Sequence, residues 1–308
     1  MSILTTFFHL IVIPGALYLV AAALLAAWLD RKMVALWQAR VGPPWYQPFA
    51  DLVKLFAKED IMPVGGSQAL GAALPIFALA CTLTAGLNVP VCGYAAGSFA
   101  GDLIVVLFLL SLPTLGQFLA GWLTPSVYGV IGGNRSLLQY FAYEVPLLMG
   151  MLAPAVLSRS LTIATLTQAQ QPWGWHLFML PVGFAISLLG LIGKLKREPF
   201  DIPNAKSEIG AGPLTDYSGR KLALWKLTVA LQTIVGLHLL TNVYLAGTGP
   251  ATGAWGIPVY ALKTFLLLAL LSLVQALYAR LRIDQLSRVG WRVLVPLGLA
   301  QLLFSIWI

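Results

Sequence analysis

A single carboxylic acid lies inside an apolar stretch, at Glu144 in the sequence LLQYFAYEVPLL. A charge in the hydrocarbon region of a membrane is costly unless it is protonated, paired or hydrated, so such a residue usually carries a proton or an ion. Tyr140 lies one helical turn earlier, on the same helical face. The alternative is a neutral acid that hydrogen-bonds to Tyr140 or to the backbone near Pro146. The first interpretation predicts an ion-coupling residue.

Three more basic or titratable side chains lie in apolar stretches. His238 is deep in its stretch, where an imidazole either relays protons or donates a packing hydrogen bond, and the sequence leaves both interpretations open. Lys226 and Lys263 lie nearer the ends of their stretches, from which long side chains can reach the membrane surface. Neither lysine is diagnostic alone.

The segment KREPFDIPNAKSEIGAGPLTDYSG is as polar as its surroundings are apolar. Residues 193–221 hold ten of the charged residues, of which the chain has 19 basic and 11 acidic. Prolines and glycines exclude a long regular helix, while Phe200 and Tyr217 provide apolar anchors. This combination predicts an ordered loop that packs on the helix ends and presents charges such as Lys194 and Arg197 to a partner. A flexible linker is the alternative.

The chain has no pattern of a redox or hydrolytic enzyme. It has no glycine-rich phosphate loop and no cluster of cysteines and histidines that suits iron, zinc or haem. Cys81 and Cys92 are typical of small buried side chains. We therefore expect no catalytic residue, metal or cofactor in this chain itself. The net charge of +8 indicates topology and anionic lipid rather than nucleic acid.

Membrane helices are the elements expected to position these residues. The chain is 59% hydrophobic and 10% charged, and several apolar stretches reach the ~20 residues needed to cross a bilayer. The sequence predicts an all-α integral membrane protein with eight transmembrane helices. Their expected bounds are 3–29, 69–92, 101–122, 136–157, 175–195, 222–247, 257–280 and 289–308. The first stretch lacks a cleavage site, so we expect it to be retained.

The basic residues orient these predicted helices. Sixteen of the 19 Lys and Arg residues fall in loops after odd-numbered spans, which identifies that side as cytoplasmic. Both termini are then expected on the outer side. We expect one membrane domain over residues 1–308, with the loops 30–68 and 193–221 as its main cytoplasmic surface.

The first of these loops contains the sequence DRKMVALWQARVGPPWYQPFADLVKLFAKEDIMP. After the Gly-Pro-Pro break, apolar residues recur at helical spacing and charged residues take the other face. The apolar set is Trp45, Phe49, Leu52, Val53 and Phe56, and the charged set is Asp51, Lys54 and Lys58. The pattern predicts an interfacial amphipathic helix, whose apolar side contacts either lipid or a partner subunit.

Three motifs together resemble one family. The first-loop sequence, YEVPL in the fourth span and PFDIPNAKSEIGAGPLTDYSG after the fifth are similar, in order, to the NADH dehydrogenase subunit 1 family of complex I. That family includes the equivalent subunit of membrane-bound energy-converting hydrogenases. The resemblance covers nearly the whole chain. It implies an anchor in the cytoplasmic (inner) membrane of a prokaryote, which docks a peripheral redox arm and connects to antiporter-like membrane subunits.

The resemblance also implies roles for particular residues. Glu144 matches the membrane glutamate of the family, and the loop acids match family acids. The expected proton or ion coupling set is Glu144, Asp201, Glu208, Asp216, Lys226 and His238. The expected docking set for the peripheral arm is Arg31, Arg40, Asp51, Lys194, Arg197, Phe200 and Tyr217.

Departures from the family pattern favour one branch. Three positions that are usually acidic in complex I are occupied here by Lys194, Asn204 and Lys206. The positive charges of the two lysines would repel protons and other cations. GPLTDYSG and the following Lys226 are more similar to the hydrogenase branch. That resemblance implies hydrogenase-like large and small partner subunits, which carry the Fe–S clusters and a nickel–iron centre. The chain itself is expected to bind lipid but no nucleic acid.

Two alternatives stay open at this stage. A quinone-reducing complex would use the first-loop helix and residues 200–217 to line a headgroup chamber, so that quinone would be the ligand. A stand-alone secondary transporter is the other alternative, but transporters of that kind tend to show two related halves. No such internal symmetry is visible in the sequence.

Overall fold

Helices form nearly all of the regular secondary structure in the computed structural model, which describes residues 11–12, 15–61, 63, 65–249 and 255–307, except for the side chains of 171–173 and 206–207. No strand occurs in these ranges beyond one isolated bridge between Val91 and Tyr94. The helices are α1 Ala16–Trp37, α2 Gln47–Ala57, α3 Gln68–Asn88, α4 Asp102–Leu123, α5 Val127–Leu157, α6 Ile163–Trp173, α7 His176–Met179, α8 Pro181–Lys194, α9 Lys206–Ile209, α10 Gly219–Tyr244, α11 Gly256–Leu277, α12 Ile283–Val289 and α13 Val295–Trp307.

Six helical segments in the described ranges are long and apolar enough to cross a membrane, and the chain is therefore a multi-pass membrane protein. They are α3, α4, α5, α10, α11 and the continuous segment Ile283–Trp307, in which a π-helical turn joins α12 to α13. Helix α8 is equally apolar but has only 14 residues. The first predicted span begins outside the described residues, and α1 runs past its expected end at residue 29 to Trp37.

The fourth predicted span begins nine residues too late. Helix α5 starts at Val127 rather than at residue 136, so Arg135 lies on a helix and not in a loop. The Ser126 hydroxyl accepts the N–H of Gly129 at its start. Close packing continues the helix, because a Cβ on Gly121 of α4 would clash with the Gly129 carbonyl oxygen. The polar sequence Asn134–Arg135–Ser136 is therefore helical despite its composition.

The fifth predicted span is broken rather than continuous. Helix α7 ends at Met179, Leu180 leaves helical geometry, and α8 begins at Pro181. Proline has no N–H and a fixed φ, so it suits the first position of a helix and interrupts one elsewhere. An additional helix, α6, precedes this break in a segment that we expected to be a loop.

Helix α10 is the centre of the bundle. Every residue from 231 to 247 is buried, and α10 packs against α1, α3, α6 and α11. Trp225 and Tyr244 are among the largest fully buried side chains. Close contact with α3 depends on Gly86, where a Cβ would lie 2.7 Å from Leu19 of α1 and 3.0 Å from Val235 of α10.

The two long loops pack against each other at one end of the bundle, which we call the basic side (residues 38–61, 63, 65–67, 195–218 and 278–282). The N–H of Ile61 donates to the Ser218 hydroxyl at 2.8 Å, and the N–H of Arg220 donates to the Asp60 carboxylate at 2.6 Å. Gly219 has φ +53°, and a Cβ there would clash with that carboxylate. Residues 193–221 are thus held by specific contacts rather than extending as a free linker.

Candidate functional site

Glu144 forms a buried ion pair with Lys194. The Lys194 Nζ donates to Glu144 Oε1 at 3.0 Å, and the two side chains are 2% and 8% exposed. Glu144 Oε2 is buried and has no hydrogen-bond partner among the described residues. Desolvated charges are tolerated only when they are paired. Within the described residues the pair therefore satisfies only one of the two carboxylate oxygens.

Small residues bring α5 and α8 close enough for this pair to form. A Cβ on Gly193 would lie 2.9 Å from Tyr143, and a Cβ on Gly190 would lie 2.7 Å from Leu147. The last turn of α8 therefore rests directly on α5. Lys194, the final residue of α8, then reaches Glu144 in the interior of the protein.

Further polar groups surround the pair. Gln139 Nε2 donates to the Gly193 carbonyl at 2.7 Å, while its Oε1 is buried without a partner within the described residues. Tyr143 donates its hydroxyl to Thr114 Oγ1 of α4 at 3.2 Å. Ser136, Tyr140 and Glu144 recur every four residues and therefore share one face of α5. A polar strip thus runs along α5 between its neighbours α4 and α8.

Lys196 is a second buried lysine that the sequence did not single out. Its Nζ donates to Gln117 Oε1 of α4 and to Ser136 Oγ of α5, the latter at 2.6 Å. The residue is 7% exposed. Burial lowers the pKa of Lys196 to about 7, although the nearby Asp201 carboxylate opposes that shift. The available signal was two lysines in the sequence GKLKR at the end of a span.

Arg197 is anchored in a buried network rather than on an open surface. It donates to Asp30 Oδ1 at 2.6 Å and to Thr233 Oγ1 at 3.3 Å. Ser272 of α11 donates to the same Asp30 oxygen at 2.8 Å. Asp30 is 9% exposed and was not among the predicted site residues. The network joins the start of the second loop to α1, α10 and α11.

Two predicted loop acids of the basic side meet Arg280 and, on α5, Arg135. Arg135 lies 2.6 Å from Glu208, and Arg280 lies 3.7 Å from Asp201 and 3.9 Å from Glu208. The Arg135 hydrogen bond lowers the pKa of Glu208. These acids therefore sit in a charged cluster that reaches solvent, because half of the Glu208 side chain is exposed.

Apolar anchors of the second loop lie in the interior, as expected. Phe200 and Tyr217 are 5% and 3% exposed, and the Tyr217 ring packs edge-on against Trp225. Burial raises the pKa of Tyr217 to about 12. Beside it, Asp216 Oδ2 is buried without a hydrogen-bond partner in the described part of the chain.

A cleft opens between α1, α2 and α10. Arg31 donates to Asp51 at 2.9 Å, and Gln47 donates to the other Asp51 oxygen at 3.0 Å. Chiefly because of the Arg31 hydrogen bond, the pKa of Asp51 is lowered. The cleft is small, with a volume of about 50 Å³, and its lining is Leu24, Ala27, Arg31, Pro48, Asp51, Leu52, Leu55, Lys226, Leu227 and Ala230. Arg40 lies outside it and is exposed.

His238 lies apart from the Glu144 pair, in an aromatic environment. Its ring stacks on Tyr18 at 6.2 Å between centroids and packs against Tyr260 at 5.3 Å. The residue is 2% exposed, and its Nδ1 has no partner among the described residues.

The structure brings some of the predicted site residues together. Lys194 contacts Glu144, and Arg280 lies near both Asp201 and Glu208. Neither Lys226 nor His238 contacts Glu144.

The site is built from polar and charged side chains. In the described ranges no three His, Cys, Asp or Glu residues come together in a way that would hold a metal ion. The buried polar groups of this region are a carboxylate on α5, two lysine amines at the end of α8, and hydroxyls and amides of α4 and α5.

Two comparisons with known proteins bear on this arrangement. A family model described as NADH dehydrogenase matches residues 9–306. The chain is also similar to a chain in the solved structure of the membrane-bound sulfane sulfur reductase, an archaeal respiratory membrane complex. Sequence identity is 27%, the TM-score is 0.90, and the match covers 98% of this chain and 99% of the other.

Proposed function

The chain belongs to the NADH dehydrogenase (complex I subunit 1) family, as a membrane subunit of a complex I-related complex, and from this premise we propose that it is the anchor and coupling subunit of a redox-driven ion pump. The observation that carries the proposal is the buried Glu144–Lys194 pair at 3.0 Å, which lies below the packed loops of the basic side. A titratable pair in this position links events at the loops to a charge inside the membrane.

The proposed mechanism has two states that differ in how tightly Glu144 holds a proton. In one state Lys194 donates to the carboxylate and stabilises its charge. In the other state Lys194 has moved away, and an unpaired buried carboxylate takes up a proton. A redox event in a partner drives the exchange only if the partner binds the two states with different affinity. The charged cluster of Asp201, Glu208 and Arg280 is the surface through which the partner acts.

Several roles follow within this proposal. The docking surface consists of Arg31, Arg40, Asp51 and the residues around Arg197. Phe200 and Tyr217 are its buried anchors. Lys194 belongs to the coupling route instead, because a side chain that is 2% exposed offers no contact surface. Asp216, Lys226 and His238 stay in the coupling set as proposals.

The proposed topology has eight spans in one membrane domain over residues 1–308. The spans are the six long segments, α8 with its preceding turn, and the first predicted span, which includes part of α1 and begins outside the described residues. Helix α2 lies in the membrane interface. Both termini are outside, in the cytoplasmic membrane of a prokaryote, and the basic side faces the cytoplasm.

Among complex I relatives we place the chain with the membrane-bound energy-converting hydrogenases. Support comes from the basic residues Lys194 and Lys226 and from the GPLTDYSG motif. The partners are then Fe–S-containing large and small subunits with a nickel–iron centre, and antiporter-like membrane subunits. Similarity to a chain of the membrane-bound sulfane sulfur reductase, an archaeal respiratory membrane complex, supports only the presence of partner subunits and does not favour the hydrogenase branch.

Affinity purification from native membranes tests the proposal. A tag on the chain should recover Fe–S subunits and antiporter-like subunits by mass spectrometry, together with stoichiometric nickel by elemental analysis. The purified complex should evolve hydrogen from reduced methyl viologen. Sulfide production from polysulfide without nickel would replace the hydrogenase assignment, and recovery of the chain alone in an active transporter would overturn the proposal.

The cleft supports a second candidate, a quinone-reducing complex. It joins apolar walls from α1 and α10 to the polar groups Arg31, Asp51 and Lys226, which suits an amphipathic ring with an apolar tail. Quinone extracted from the purified complex in about equimolar amount, and reduced by it, would favour this function. A complex without quinone that still transfers electrons would exclude it.

A further inference from the structure

Two lysines, separated by one residue, occupy buried sites of different chemistry at the end of α8. Lys194 faces a carboxylate, whereas the hydrogen-bond partners of Lys196 are the neutral oxygens of Gln117 and Ser136. A buried ammonium without a carboxylate partner bears the desolvation cost with little compensation. Lys196 is therefore the amine in this region that loses its proton most readily.

The charged groups around Lys196 influence its pKa. The Asp201 carboxylate of the loop favours the protonated form but makes no ion pair as tight as that of Lys194, and it is shared with Arg280. On α5, Arg135 is held by Glu208 and Glu144 is held by Lys194. On α4 the facing group is the neutral Gln117, and Arg197 next in sequence is held by Asp30. With these partners, the pKa of Lys196 falls to about 7.

The position of Lys196 connects the loop to the Glu144 pair. Its partner Ser136 lies two helical turns from Glu144 on the same face of α5, about 12 Å along the axis at ~1.5 Å per residue. The buried and unpartnered Gln139 Oε1 and Glu144 Oε2 lie in that interval. Asp201 lies on the other side, in the charged cluster of the basic side.

We propose that Lys196 is the proton-transfer residue between the Asp201 cluster and the Glu144–Lys194 pair. The inference rests on the proposed ion-pumping function. The Lys196 ammonium gives up one proton, which moves along the polar strip of α5 to the free oxygen of the Glu144 carboxylate. The neutral amine then regains a proton from solvent by way of the Asp201 cluster. No bond other than N–H and O–H bonds forms or breaks.

The test uses the whole complex in inverted membrane vesicles, with reduced methyl viologen as electron donor and a fluorescent dye that reports internal acidification. Lys196→Arg keeps a donor and a positive charge but cannot release its proton at physiological pH. We expect acidification per electron to fall about tenfold or more, as for the loss of a proton carrier. Lys58→Arg, at an exposed lysine on the basic side, is the matched control and should leave it unchanged.

Gln117→Glu provides a second, nearly isosteric variant. The new carboxylate beside Lys196 holds its proton more tightly, so the pH optimum of acidification should move upward by about one pH unit or more. A purely structural lysine would leave that optimum in place. Unchanged acidification in Lys196→Arg or an unshifted optimum in Gln117→Glu overturns the role of Lys196. If the wild-type vesicles transfer electrons and take up neither protons nor Na⁺, the proposed pumping function itself fails. Uptake of Na⁺ without acidification would overturn the role of Lys196 and leave the pumping function standing.

Discussion

Lys194 Nζ lies 3.0 Å from Oε1 of Glu144. The two residues are fifty positions apart in the chain, on α8 and α5. The sequence suggested that a lysine at position 194 would repel cations from a proton route. In the structure its positive charge instead complements the membrane carboxylate. The two residues are therefore best tested together.

Lys194→Met should destabilise the complex by about 3–5 kcal/mol, because it leaves the Glu144 carboxylate buried and unpaired. Glu144→Gln leaves the Lys194 amine with an amide partner, so we expect the complex to assemble and ion translocation to be impaired. Combining the two changes should cost less than the sum of the single changes. Thermal unfolding of the detergent-solubilised complex gives the stabilities, and vesicle acidification gives the translocation. Strictly additive losses would mean that the pair does not interact.

Gly193→Ala should separate α5 from α8. The added Cβ would lie 2.9 Å from Tyr143 Cβ, and overpacking of this kind typically costs about 1–3 kcal/mol. The measurement is the unfolding temperature of the complex in detergent. Gly66→Ala is the matched control, since the nearest atom to its new Cβ is 3.4 Å away. Equal unfolding temperatures for the two variants would contradict the close approach at Gly193.

Asp30→Asn should loosen the start of the second loop. It removes the charge that pairs with Arg197 at 2.6 Å, and leaves the Arg197 guanidinium with a neutral amide oxygen and the Thr233 hydroxyl as acceptors. Limited proteolysis of membranes should cut residues 195–205 several times faster than in the wild type. Asp284→Asn, at an exposed acid on α12, serves as the control. Equal cleavage rates in the two variants would show that Asp30 does not anchor the loop.

Much of the helical organisation follows from hydrophobic length alone, but the helix ends do not. The residues Asn134–Arg135–Ser136 look like a loop by composition, yet α5 includes them because Gly121, Gly129 and Gly133 allow two helices to touch. The break at Leu180 is different, because Pro181 next to it indicates an interruption in the sequence itself. Local composition indicates which segments prefer lipid, whereas the start of α5 depends on contact with a neighbouring helix.

The candidate site was predictable in part. Glu144 stood out because a lone acid in an apolar stretch has few structural uses. Asp30 and Lys196 did not stand out, because each lies where an apolar stretch ends and resembles an ordinary topological charge. Their burial arises when α1, α4, α5 and the second loop meet, and such long-range contacts leave little trace in a single sequence.

Stability should depend on pH through Lys196. An unfolded lysine has a pKa near 10.5, while in the folded chain burial lowers the pKa of Lys196 to about 7. Between these values the unfolded state binds more protons than the folded state, so this residue makes stability rise with pH across that window. In Lys196→Gln that contribution is absent. The unfolding temperature of the complex, measured at several pH values from 7 to 10, should therefore rise less, or fall more, with pH in the variant than in the wild type. Parallel pH curves for the two proteins would show that Lys196 is already fully charged in the folded chain.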